Sequence, residues 1–180
     1  MYGYAIISTD SAVNNIDPTA VLMPVDDKIM VVWVKDTEKK DLWGRVIKLD
    51  SSTTASTSTT TFNVLQDSFL IAEGFGFLPS NIKLLVYSDN KVLVSWNSPT
   101  QVDKPAAVHW TIVGIDGQIV IPRFQVTSDE ASTAEDVVLL PLASNRIAIA
   151  WNKVTIASST EKTSNIYLRI FEKTTTIRSP

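Results

Sequence analysis

The feature that most constrains the fold is a segment that occurs three times and ends each time in tryptophan. Each copy has a polar turn, a Lys or Arg, four mostly aliphatic residues and then the tryptophan, over Asp26–Trp33, Asp89–Trp96 and Ser144–Trp151. The tryptophans lie 63 and 55 residues apart, so the period is near 60 with loops of variable length. Self-similarity at a fixed period is the signature of a repeat architecture. We therefore expect Trp33, Trp96 and Trp151 to form the cores of three similar units.

The residues around each tryptophan segment predict β-strands. An apolar run rich in β-branched residues precedes each segment across a short polar turn, at Ala20–Val25, Ile82–Tyr87 and Val137–Leu142. Two such runs around a tight polar turn indicate a β-hairpin. No segment carries a sustained helical period, although residues 65–78 could accommodate one helical turn. The sequence predicts an all-β protein of about three and a half four-stranded units, arranged as a β-propeller or as stacked tandem β-units.

The repeat divides the chain into four parts. Residues 1–18 are a half repeat, 19–80 the first repeat with a Ser/Thr-rich loop at 51–61, 81–134 the second repeat, and 135–180 the third, whose fourth strand would be Thr174–Ile177. The half repeat either completes a compact ring or marks the chain as part of a longer array. In an array, an exposed strand edge invites strand addition by the next unit. The candidate inter-unit strand consists of Tyr2, Gly3, Tyr4, Ala5, Ile6 and Ile7.

The most unusual composition lies at residues 51–61, where ten of eleven residues carry a hydroxyl. Such a tract cannot form a core, and exposed hydroxyl-rich tracts are acceptors for O-linked sugars. The other interpretation is an unmodified flexible hairpin loop. The candidate acceptors are Ser51, Ser52, Thr53, Thr54, Ser56, Thr57, Ser58, Thr59, Thr60 and Thr61.

Two further tryptophans, Trp43 and Trp110, lie on the third predicted strand of their repeats. They are the best candidates for a partly exposed aromatic face that contacts a ligand or a neighbouring subunit. The repeated tryptophans could also stack on sugars, but their place at the end of an inner apolar strand favours core packing.

The composition excludes the catalytic sites that depend on cysteine or on several histidines. The chain has 180 residues, a formal charge of −3, no cysteine and one histidine, His109, which excludes thiolate metal sites and multi-histidine sites. The near-neutral charge gives no basic footprint for nucleic acid, and no apolar run approaches the roughly 18 residues of a membrane helix. We interpret the acidic segments Asp26–Asp27, Asp116–Gly117, Asp129–Glu130 and Glu135–Asp136 as solvated turns rather than calcium ligands. No cofactor or metal is predicted, and we interpret His109 as structural.

The segments Lys91–Trp96, Ile115–Gln118 and Phe124–Val126 resemble tandem repeats of very large secreted or surface proteins of bacteria and ciliates. Those repeats read approximately D-G-G-F-V-V-T-W, Y-G-I-Y-x-Q-R-F-D, then D-x-x-G and F-x-V-N-T. The resemblance extends over all three units and is carried by the V-V-x-W and F-x-V elements. It implies extracellular, propeller-like β-units with adhesive or matrix-building roles and no catalysis.

Together these observations favour a structural protein that is not an enzyme. We expect a segment of an extracellular or cell-surface fibre or matrix, assembled head to tail with other copies or within a longer tandem chain, and carrying covalent glycans. The alternative is a carbohydrate-binding β-propeller, a lectin or adhesin module. A propeller hydrolase ranks last, because the five arginines follow no catalytic motif.

Overall fold

The computed structural model describes residues 13–24, 26–54, 57–74, 76–99, 105–127, 133–143, 146–156 and 162–172. These residues form eleven β-strands and no helix, which confirms the all-β prediction. The helical turn that the sequence allowed within residues 65–78 is wrong, because strand β4 runs through to Ala72. Pairing with the neighbouring strand decides the conformation there: Leu70 lies opposite Trp43, and Phe69 lies opposite Gly44.

The strands form three antiparallel sheets in which consecutive strands are neighbours. The first sheet contains β1 (Asn15–Leu22), β2 (Lys28–Lys35), β3 (Asp41–Thr54) and β4 (Thr57–Ala72). The second contains β5 (Ser80–Ser88), β6 (Lys91–Pro99), β7 (Ala106–Gly114) and β8 (Ile119–Gln125). The third contains β9 (Thr133–Leu142), β10 (Arg146–Ile156) and β11 (Lys162–Glu172). Its predicted fourth strand, Thr174–Ile177, lies outside the described residues.

Two apolar clusters hold the sheets together, one at each boundary between them. The first joins Met30, Val32 and Val34 of β2 to Val92, Val94 and Trp96 of β6. The second joins Leu93 of β6 and Ile112 of β7 to Ile147, Ile149 and Trp151 of β10. Residues of alternate parity along β6 therefore serve different clusters, as expected for a strand covered on both faces. The second sheet is the buried middle layer.

The first strand of each sheet carries a β-bulge at the same place. The register shifts between Ile16 and Thr19, between Ser80 and Lys83, and between Glu135 and Val138. The first residue inside each bulge is Asp17, Asn81 or Asp136, each with a φ of 51°. Asp and Asn tolerate this left-handed conformation better than other residues with a side chain. The bulge is a further mark of the repeat.

The first strands of the three sheets also adjoin one another, since β1 contacts β5 and β5 contacts β9. Over the part of the chain that the structure describes, the sheets do not close into a barrel or a propeller. A search of those residues for a helix of the length and hydropathy that a membrane crossing requires finds none.

The hydroxyl-rich tract continues the β3–β4 hairpin instead of forming the predicted loop at 51–61. Backbone pairing extends from Asp50 and Thr61 to Thr54 and Thr57. The pairing of β3 with β2 ends at Lys48, so the tract forms a two-stranded ribbon beyond the sheet. Threonine is β-branched and favours extended backbone, which explains why a run without core residues still pairs.

Candidate functional site

The three repeated tryptophans are buried. Their exposed fractions are 3% for Trp33, 2% for Trp96 and 8% for Trp151. Trp96 lies in the cluster between the first and second sheets, and Trp151 lies in the cluster between the second and third. A sugar could not stack on Trp96 or Trp151 without separating two sheets.

Each repeated tryptophan has an aromatic ring opposite it on the next strand, a feature that the sequence analysis missed. The register partners are Trp43 for Trp33, His109 for Trp96 and Tyr167 for Trp151. The Trp96 and His109 rings stack with centroids 5.7 Å apart, and those of Trp151 and Tyr167 stack at 5.9 Å. Directly opposed aromatic side chains stabilise an antiparallel pair of strands. The pairs differ in residue type and in sequence spacing, which hides them from a search for repeats.

The residue two positions after each tryptophan contacts the aromatic ring that lies opposite the tryptophan. The Lys35 ammonium lies 3.8 Å from the centroid of the Trp43 ring, and the Lys153 ammonium lies 5.3 Å from that of Tyr167. In the second sheet this position is Ser98, whose carbonyl oxygen lies 3.2 Å from His109 Nε2 and accepts its hydrogen bond. The first and third repeats thus place a cation on the ring, and the second places a hydrogen-bond acceptor beside it.

His109 is 2% exposed, and burial lowers its pKa from 6.5 to about 4. The positive charge of Arg123 lowers this pKa further, while the hydrogen bond to the Ser98 carbonyl opposes the shift. The ring is therefore neutral at pH 7 and serves as an aromatic partner for Trp96. Since no side chain among the described residues pairs with His109 Nδ1, the geometry offers no catalytic relay.

Trp43 and Trp110 do not form a common face. Trp43 lies opposite Trp33, whereas Trp110 lies opposite Ser95, one position further along the repeat. A shift of one residue moves a side chain to the other face of a sheet. Trp110 is enclosed by Phe124 and by Phe171 of the third sheet, with centroids 5.8 and 5.7 Å away. It joins two sheets and presents little surface to a ligand.

A cleft beside Trp110 is small and closed by the third sheet. Its volume is about 80 Å³, and its walls come from β5 to β8, β10 and β11. Nearby, the Arg169 guanidinium lies 5.8 Å from the Phe124 ring and 5.3 Å from the Phe171 ring, and Arg169 Nη1 donates a 2.9 Å hydrogen bond to the Val126 carbonyl. This arrangement fastens β11 to the second sheet.

The most prominent accessible feature is one face of the third sheet, here called the open face. Its centre is Ala148 and Ala150 of β10. Val138 and Leu168 flank Ala150, and Leu140 and Ile170 flank Ala148. Directly opposed residues share a face. The bulky side chains are strongly exposed, with fractions of 51% for Val138, 52% for Leu140, 85% for Ile166, 60% for Leu168 and 48% for Ile170.

The equivalent faces of the other two sheets are covered. Counting from the cation that begins each segment, Ala148 corresponds to Met30 and Leu93. Ile170, opposite Ala148, therefore corresponds to Val46 opposite Met30 and to Ile112 opposite Leu93, and the three are 48%, 0% and 1% exposed. Met30 packs against the second sheet and Leu93 against the third. Of these three equivalent faces, the open face is therefore the one that no described sheet covers.

A groove of about 390 Å³ runs across the first strands of the three sheets. Its walls come from equivalent positions that follow the bulges: Thr19, Ala20, Ile82, Lys83, Leu84, Val137, Val138 and Leu139. Lys83 is the one charged side chain in this lining. These described lining residues include no set of converging acids and bases that would support hydrolysis.

The acidic residues considered as calcium ligands have structural roles where they are described. Asp26 forms a 2.9 Å ion pair with Lys28, which lowers the pKa of its carboxyl group. Asp116 accepts a hydrogen bond from the Gln118 amide in its turn, and Asp136 occupies a bulge. Within the described ranges no three acidic or histidine side chains come together as a metal site would require. Asp129 and Glu130 lie outside those ranges.

The remaining candidates are placed only in part. The inter-unit strand, Tyr2 to Ile7, lies outside the described residues. The candidate glycan acceptors lie on the two-stranded ribbon of β3 and β4, apart from Ser56, which is not described.

Comparison with known proteins shows the fold alone. No family model and no curated protein matches the sequence. A crystal structure of a protein of unknown function from Dyadobacter fermentans is similar, with a TM-score of 0.54 and 15% identity, over 92% of this chain and 41% of that chain. An endo-arabinase from Bacteroides thetaiotaomicron aligns with a TM-score of 0.49 and 13% identity, over 89% of this chain and 57% of that one. The chain thus spans about two fifths and somewhat over half of these proteins.

Proposed function

We propose that the chain is a structural module of an extracellular or cell-surface fibre or matrix, in which stacked β-sheets join copies and a hydroxyl-rich ribbon carries O-linked sugar. The open face is the observation that carries this proposal. Exposed apolar patches of this extent mark contacts with other proteins, and here each equivalent face is already a sheet–sheet contact. The mechanism is mechanical, since the module supplies a rigid layer and a contact surface.

The ribbon of β3 and β4 supports the second half of the proposal. Beyond Lys48 the described pairing joins β3 to β4 and no longer to β2, so O-linked sugar there would not interrupt the pairing of β2 with β3. Sugars on this ribbon would also keep its strand edges from pairing with other chains.

The mass of material from the native source tests this proposal. We expect masses above the 19.8 kDa of the polypeptide that fall in sugar-sized steps when O-glycans are chemically removed. We also expect the protein to self-associate, so that its average mass in sedimentation exceeds that of one copy. A homogeneous mass near 19.8 kDa, in a species that stays monomeric at high concentration, would contradict both parts.

The alternative is a carbohydrate-binding β-propeller. The specific observation in its favour is the arrangement of β1, β5 and β9, which adjoin one another as the inner strands of propeller blades do. In that arrangement the groove around Lys83 would line the central channel. Binding on a glycan array that is lost in Lys83→Ala and unchanged in Leu168→Asp would favour this function over assembly.

A further inference from the structure

We propose that the open face is the interface of a two-fold symmetric homodimer, in which the third sheets of two copies pack face to face. This inference rests on the proposed function for the premise that the chain associates with itself. It adds the identity of the partner, the surface used and the symmetry of the contact.

The shape of the open face is complementary to itself. The small side chains of Ala148 and Ala150 form a valley along β10, and the larger side chains of β9 and β11 form a ridge on each side. Packed sheets lie about 10 Å apart with interdigitating side chains, and neighbouring strands are about 4.8 Å apart. A lateral offset of one strand places the Leu168–Ile170 ridge of each copy in the alanine valley of the other. A two-fold axis makes both contacts at once.

The charges of the open face lie at its ends. Arg146 and Glu172 lie opposite each other at one end, and the Glu135–Lys162 ion pair, at 3.9 Å, lies near the other. The rows between them, centred on Ala148 and Ala150, contain no charged residue. An apolar centre with a polar rim of both signs is the usual anatomy of a protein–protein interface.

The outer face of the first sheet, at the opposite end of the three-sheet stack, explains why the partner copy also uses its open face. A head-to-tail contact would seat the open face on the outer face of the first sheet, which carries Trp33 and Ile47. The large side chains at the centre of that outer face are buried, since Trp33 is 3% exposed and Arg45 and Ile47 are each 4% exposed, whereas Leu168 and Ile170 of the open face are 60% and 48% exposed. A two-fold contact needs only one patch, used by both subunits, and the open face supplies it.

Light scattering coupled to gel filtration, supported by sedimentation equilibrium, tests the inference on the 180-residue chain. We expect a discrete dimer for the wild type. Leu168→Asp and Ile166→Asp each place a charge in the apolar contact and should raise the dimer dissociation constant at least about tenfold. Leu78→Asp is the matched control, because Leu78 is an exposed leucine outside the sheets, and it should leave the dimer unchanged. Because Ile166 is the most exposed of these residues, its variant keeps the test valid if Leu168→Asp folds poorly.

The outcomes separate this inference from the function on which it rests. A monomer at every concentration overturns both the dimer and the self-assembly of the proposed function. Open-ended polymers that Ile166→Asp disrupts overturn the two-fold symmetry and leave self-assembly standing. A discrete dimer that survives Leu168→Asp and Ile166→Asp overturns the assignment of the open face.

Discussion

The indole of Trp96 stacks on the imidazole of His109 across strands β6 and β7, with ring centroids 5.7 Å apart and an interplanar angle of 29°. In the other sheets Trp33 lies opposite Trp43, and Trp151 lies opposite Tyr167. A buried tryptophan opposite an aromatic residue is therefore common to the three sheets, and Trp96 and Trp151 also pack against a neighbouring sheet.

Removing the Trp96 ring should be severely destabilising. We expect Trp96→Ala to lower the free energy of unfolding by about 3 to 5 kcal/mol, because it leaves a large cavity between the first and second sheets. Trp96→Phe retains a ring opposite His109 and should lose clearly less. Chemical denaturation measures both, and equal losses for the two variants would show that the stacking has no energetic role.

His109 should make stability depend on pH. Its pKa is about 4 in the folded protein and 6.5 when unfolded, so the unfolded chain binds the proton first as pH falls. The free energy of unfolding should therefore decrease between about pH 6.5 and pH 4, by up to about 3 kcal/mol from this group. His109→Phe keeps an aromatic partner for Trp96 and should flatten this part of the profile. An unchanged slope in the variant would exclude His109 as its source.

The bulge residues should tolerate glycine and resist β-branched side chains. Asn81 is exposed and has a φ of 51°. We therefore expect it to affect the free energy of unfolding through its backbone conformation and not through side-chain packing. We expect Asn81→Val to cost about 1 to 2 kcal/mol and Asn81→Gly to cost little. Lys83→Val, in the same strand after the bulge, is the control. Equal effects of valine at positions 81 and 83 in thermal melts would contradict a role for the bulge.

Asn97 should contribute to the joint between the second and third sheets. Its Nδ2 donates a buried 2.8 Å hydrogen bond to the Ala134 carbonyl on β9. Replacing it with alanine leaves a buried acceptor without this donor, which should cost about 1 to 3 kcal/mol. Hydrogen exchange should then accelerate first in β9. Acceleration confined to the first sheet would show that the bond does not couple these two sheets.

Much of the architecture could be predicted because it depends on local patterns. The polar turn, cation, aliphatic run and tryptophan of Asp89–Trp96 identify a strand without reference to any neighbour. The hairpins followed from the short turns between such runs. Because this pattern occurs three times, three separate segments supported the all-β prediction.

The candidate site depends on neighbours and was harder to predict. Trp43 and Trp110 occupy the same strand of their repeats, but a register offset of one residue places them on opposite faces. Both faces of β11 carry large apolar residues, Leu168 and Ile170 on one side and Phe171, beside Arg169, on the other. Sequence alone does not say which face a neighbouring sheet covers. The bulge at Asp136 was similarly read as part of an acidic turn.

The most direct test of the account uses the absence of cysteine from the chain. Leu168→Cys places a single thiol on the β11 ridge of the open face, and Leu78→Cys places one on an exposed site away from it. With a bis-maleimide cross-linker, which spans a longer distance than a disulfide can, mass spectrometry should find a covalent dimer for Leu168→Cys and mostly monomer for Leu78→Cys. A monomeric Leu168→Cys, or equal cross-linking of the two variants, would contradict the claim that copies of this protein meet through the open face.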